Sequence, residues 1–149
     1  MAELPQKIFK KILGIDVGKE KWGWCFLADT TEESNQCPTV SYQSFYKRLA
    51  AIMALYKPDI VVVGKVNMYY QLICSHYSYI GVVRLLCEKA GIPEIEINDM
   101  TARATLFPGE GRRKELMKRH FPSGYGEDQI DATILAKAWK QLQQGKTQM

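Results

Sequence analysis

The hydrophobic pattern changes period along the chain. Ile12-Leu13-Gly14-Ile15-Asp16-Val17-Gly18 is an apolar run that ends on a carboxylate and then a glycine, as expected of a strand covered on both faces. Such a strand, at about 12–16, delivers Asp16 to the edge where open α/β sheets keep their sites. After a turn over Gly18 to Lys21, Trp22 to Ala28 predicts a second strand. The polar segment from Thr30 to Asn35 reads as a loop, and a third strand is placed near Thr39 to Ser44. Together these predict a meander of antiparallel hairpins. Trp22 and Trp24 alternate with Gly23 and Cys25, so both tryptophans share one face, and Trp139 is expected beside them.

From Phe45 the period becomes 3.6. Phe45, Leu49, Ile52, Met53 and Tyr56 form the stripe of an amphipathic helix, which Pro58 stops. The β-branched run from Asp59 to Gly64 predicts a buried strand parallel to the first. A long helix is placed from Met68 to Ala90, closed by Gly91-Ile92-Pro93, and Glu94 to Asn98 alternates like a further strand. Thr101 to Leu106 suits a short helix, Phe107 to Gly111 a loop, and Arg112 to His120 a basic helix. Glu127 opens a last helix that turns Ile130, Ile134, Leu135, Ala138 and Leu142 inward. The expectation is a single α/β domain over 1–149, with 1–11 a loose lead-in and a five-stranded mixed sheet carrying helices on both faces.

Composition narrows the class without adding elements. With 149 residues, 46% hydrophobic and 24% charged, the chain matches ordinary globular domains. No run approaches the roughly 20 apolar residues of a membrane span, and residues 1–11 lack the apolar core of an export signal. An intracellular protein, cytoplasmic or wherever its partner lies, is expected. Cys25, Cys37, Cys74 and Cys87 show no metal-ligand spacing, and His76 and His120 stand far apart. Buried free thiols are expected, not a zinc site or a disulfide framework.

Charge is unevenly spread. Arg103, Arg112, Arg113, Lys114, Lys118 and Arg119 face only Glu110 and Glu115 over one segment, so that the net charge of +4 resides there. A charge run is ordinarily a solvated face, but a basic patch in a neutral frame also binds phosphate by counterion release. The last helix begins Glu127-Asp128-Gln129-Ile130-Asp131, with Asp128 and Asp131 on one face. The helix dipole explains one acid at such a terminus well and a same-face pair less well. Asp131 adjoins the apolar stripe, where an unpartnered charge is costly. If Asp16 meets this pair, three hard ligands suit magnesium, with manganese as a substitute. Two ions about 4 Å apart can hold both the attacking and the leaving oxygen of a phosphodiester displacement.

With these residues in view, the sequence resembles the RuvC-type Holliday junction resolvases of the ribonuclease-H-like superfamily, including viral or mobile-element members. The resemblance rests on Ile15-Asp16-Val17-Gly18 with Gly23, on Pro93 through Arg103 leading to Leu106, Gly109, Gly111 and Lys114-Glu115, and on Asp128 and Asp131-Ala132. It implies a metal-dependent endonuclease cutting four-way DNA as a homodimer, with Asp16, Asp128 and Asp131 holding the metal and Arg103 and Lys114 on the junction. Arg112, Arg113 and Lys118 are further candidates for phosphate contact. Tyr69, Tyr70 and Tyr77, in a tyrosine-rich stretch, suit a dimer interface or a base-stacking surface.

One position departs from the family pattern. Where the family has a glutamate after the middle strand, this chain has Gly64 and then Lys65, with no acid between Asp59 and Glu88. The expectation is impaired metal occupancy, with Lys65 directed toward or beside the carboxylates, unless Glu96, Asp99 or Asn67 steps in. Two alternatives stay open: a junction-binding protein without catalysis, and a YqgF-like nuclease acting on ribosomal RNA, suggested by Val62-Val63-Gly64 and Asn98-Asp99-Met100-Thr101. A sugar-kinase-like phosphate hairpin at Asp16-Val17-Gly18 would require a second domain, for which 149 residues leave no room.

Overall fold

A computed structural model describes residues 10–18, 20–65, 73–110 and 113–147. Five strands, β1 (Ile12–Val17), β2 (Lys21–Leu27), β3 (Glu32–Pro38), β4 (Ile60–Lys65) and β5 (Glu94–Asn98), form one sheet in the order β3-β2-β1-β4-β5. The β1–β2 and β2–β3 pairs are antiparallel, and β1–β4 and β4–β5 are parallel. Among the described residues five helices accompany them: α1 (Tyr42–Tyr56), α2 (Ile73–Ala90), α3 (Asp99–Leu106), α4 (Arg113–His120) and α5 (Glu127–Thr147).

Strand alternation divides the core into two layers. Leu13, Ile15, Trp22, Phe26, Val61 and Val63 pack with Phe45, Leu49, Ile52, Ile80 and Val83 of α1 and α2. The alternate residues, Ile12, Cys25, Leu27, Ile60 and Val62, pack with Ala102 of α3 and with Ile130, Ile134, Leu135 and Ala138 of α5. Helices therefore cover both faces, and β1 and β4 are buried on both sides as the sequence predicts.

Three expectations need correction. The third strand is Glu32–Pro38, and Tyr42 already belongs to α1, whose Ser41 cap accepts a hydrogen bond from Ser44 N at 3.0 Å. An edge strand carries little apolar signal because one side is exposed, and Glu32, Glu33 and Pro38 are suited to blocking further pairing there. Second, Trp139 is not a neighbour of Trp22 and Trp24. The pair lies in the α1/α2 layer, whereas Trp139 packs in the α5 layer on the other side of the sheet. Third, Lys65 does not point toward the acids. It is exposed and, by alternation, leaves the sheet on the face opposite Gly64.

Cys25, Cys37 and Cys87 are free and buried, and burial pushes the thiols of Cys25 and Cys87 up to about 12. Cys25 and Cys87 therefore stay protonated and inert. Among the described residues no helix is long and apolar enough to cross a membrane.

Candidate active site

The site is built on one row of residues across the sheet. Asp16 of β1 faces Gly23 of β2, and the parallel register that pairs Ile15 with Val63 carries Asp16 alongside Gly64 of β4. Gly64 in turn is level with Ile97 of β5, two residues before Asp99. Asp16, Gly23 and Gly64 all face the α5 layer.

The two glycines let other elements come close to Asp16. A methyl at Gly23 would penetrate the carbonyl group of Asp128 and lie 2.6 Å from Gln129 N, so the first turn of α5 lies directly on the β2 backbone. A methyl at Gly64 would lie 2.7 Å from Asp99 Oδ1 and 3.5 Å from Asp16 Oδ1. These positions need no unusual dihedral; they need the missing Cβ. Gly18 acts similarly, since a methyl there would meet Asp128 Oδ1 at 2.6 Å.

The start of α5 is also pinned from the side. Gln129 is 9% exposed, and its Nε2 donates to Ser34 Oγ at 2.9 Å and Ser34 O at 3.2 Å. Gly126 O accepts from Ile130 N at 3.0 Å. This fixes the helix over the edge strand β3 and turns Asp128 and Asp131 toward β1. Gln129 escaped the sequence reading because a lone glutamine near a helix start carries no pattern.

Burial makes the acids interact strongly. Asp16 and Asp131 are 9% and 7% exposed. Desolvation, then the charges of Asp131 and Asp99, then a hydrogen bond with Asp128, raise the Asp16 carboxyl well above its ordinary value of 3.8. Among the described residues, no group of three or more His, Cys, Asp or Glu side chains stands at ion-holding geometry. A cation would have to draw these carboxylates together.

The structure thus brings together Asp16, Asp128 and Asp131, the acids singled out in the sequence, and adds Asp99. Of the other two acid substitutes considered, Glu96 leaves the sheet on the opposite face and is ion-paired with Arg84, and Asn67 lies outside the described residues. Arg103 is half-buried on α3, four residues after Asp99 and therefore on the same helical face. Lys118 is exposed on α4. Arg119 is engaged by Glu110 at 3.6 Å and Glu115 at 3.9 Å. Arg112, Tyr69 and Tyr70 lie outside the described residues, as do the side chains of Arg113, Lys114 and Tyr77.

No family model matches the sequence, and no curated protein sequence matches it significantly. Solved structures do match. RuvC of Thermus thermophilus superposes with a TM-score of 0.76 at 17% identity, covering 92% of this chain and 97% of that one. The same protein in complex with Holliday junction substrate gives 0.74 at 16% identity, covering 92% and 96%. The fowlpox virus resolvase in complex with substrate Holliday junction DNA gives 0.55 at 11% identity, covering 89% and 98%. The chain has the α/β fold of these Holliday junction resolvases, a ribonuclease-H-like architecture.

Proposed function

We propose that this chain is a structure-selective endonuclease that cuts four-way or branched DNA by metal-assisted phosphodiester hydrolysis. The observation that carries the reading is the convergence of Asp16, Asp128 and Asp131 at the carboxyl end of β1, on a fold shared with resolvases crystallised on junction DNA. The donor set fits a hard divalent cation: every member is a carboxylate, and the missing side chain at Gly18 lets Asp128 Oδ1 approach the end of β1. When bound, magnesium supplies Lewis acidity at the scissile phosphate.

Asp16, Asp128 and Asp131 would hold that ion. Buried Asp16 and Asp131 exclude bulk water from the inner side, which strengthens their hold on a cation. Asp128 is the more exposed of the two helix acids, so it is the one of the pair that an approaching substrate would reach first. Arg103 and the exposed Lys118 position the backbone through phosphates, which sets register without reading bases. A homodimer would place two such sites for paired nicks.

A synthetic four-way junction, a linear duplex and an RNA hairpin, each incubated with the protein and magnesium, test the proposal. The expected result is cleavage of the junction at least tenfold faster than of either other substrate. Preferential cleavage of the hairpin would favour the RNA-processing alternative. Tight junction binding without cleavage would favour the inactive binder, which the glycine at 64 suggests.

A further inference from the structure

We infer that Asp99 is the fourth carboxylate of the site, reaching from the end of β5 into space that Gly64 leaves open on β4. The inference rests on the nuclease reading and adds a residue to it. In the sequence the gap at position 64 looks like a loss. In the structure it is the space that Asp99 uses.

The placement follows from register. Val62 pairs with Ile95 and Gly64 with Ile97, so residues 95, 97 and 99 continue on the face that carries Gly64 and Asp16. Asn98 stops the strand, its side chain accepting from Met100 N at 2.9 Å, and α3 begins at Asp99. The chain therefore turns toward the α5 layer just where Asp99 comes level with the acids. Asp99 Oδ1 and Asp16 Oδ1 both lie within 3.5 Å of the point where a Cβ of residue 64 would stand.

A side chain rooted on β4 and the Asp99 carboxylate compete for this space. Even alanine at 64 would meet Asp99 Oδ1 at 2.7 Å, closer than real Cβ contacts allow. A carboxylate on β4 thus competes with one on β5: any side chain at 64 would make the Asp99 carboxylate swing away from its present place beside Asp16. The preceding Glu94 and Glu96 cannot substitute, since both are ion-paired with Arg84 on the other face.

Magnesium-dependent rise in melting temperature, with junction cleavage measured in parallel, tests this on wild type, Asp99→Asn and the swap Gly64→Glu/Asp99→Ala, in which the shortened side chain at 99 vacates the space that the glutamate introduced at 64 would enter. Losing a ligand should raise the half-saturating magnesium concentration by at least the about 10-fold typical of losing even an outer-shell partner. The swap, which returns the acid to β4, should recover most of that loss. Asp99→Asn should keep a cooperative thermal transition and a native circular dichroism spectrum in EDTA, so misfolding is distinguished from ligand loss. A wild type that responds to magnesium with Asp99→Asn matching it overturns this inference alone. A wild type with no response overturns the metal reading and this inference with it.

Discussion

Replacing Asp16 with asparagine is expected to raise the melting temperature in EDTA at pH 7.5 by about 4–8 °C, equivalent to about 2 kcal/mol for a domain of this size, while removing stabilisation by magnesium. Burial and three neighbouring acids hold the Asp16 carboxyl above its ordinary value, so the native state binds that proton more tightly than the unfolded chain. The resulting stability is fully present below the unfolded value near 3.8 and is lost as pH rises through the higher folded value. Wild type should therefore lose stability as pH rises above about 4, and Asp16→Asn should flatten that slope. Calorimetric melting from pH 4 to 8 checks both points. An Asp16→Asn variant less stable than wild type at pH 7.5 would show that the acids are structural partners and not a repelling set.

Gly23→Ala is expected to be among the most destabilising single-methyl changes in the chain, by about 3 kcal/mol. The added carbon would have to displace the backbone of Asp128 and Gln129, and a helix start cannot give way as a flexible side chain does. The same displacement carries Asp128 and Asp131 away from Asp16, so magnesium binding should fall with stability. Gly81→Ala is the control. Gly81 lies exposed within α2 with nothing within 4 Å of a built Cβ, and alanine there should stabilise by about 0.5–1 kcal/mol. Urea denaturation of the two variants beside wild type measures both effects.

The contrast between these glycines shows what the sequence reveals of the site. Asp16 was legible because an acid at the end of an apolar run is a strong local signal, and Asp131 because a charge beside an apolar stripe demands a partner. Both signals arise within one element. The role of Asp99 depends on the pairing of β4 with β5 and on a side chain that residue 64 does not have. Sequence could name it only as one of three substitutes, beside Glu96 and Asn67. The third strand was placed too late in the chain, near Thr39 to Ser44 instead of Glu32–Pro38, for a related reason: its polar residues satisfy an exposed face, so alternation that would reveal a core strand is absent. Lys65 was placed near the acids from adjacency alone, whereas the two-residue period of the strand sends neighbours to opposite faces.

Asp99 also changes how the departure at Gly64 bears on function. A missing glutamate on β4 argues against catalysis only if nothing else reaches the same space. With an oxygen of Asp99 there, four carboxylates, from β1, the β5–α3 junction and the start of α5, lie close enough to act on one another.

The most direct measurement is single-turnover cleavage of a synthetic four-way junction over a magnesium titration, by wild type and by Asp131→Asn. Wild type should nick the junction with a magnesium-dependent rate, while Asp131→Asn should bind it with similar affinity and cleave at least about a thousandfold more slowly, a barrier increase of about 4 kcal/mol. Equal cleavage by the two proteins, or cleavage by wild type that persists in EDTA, would contradict a metal-dependent site built on these acids.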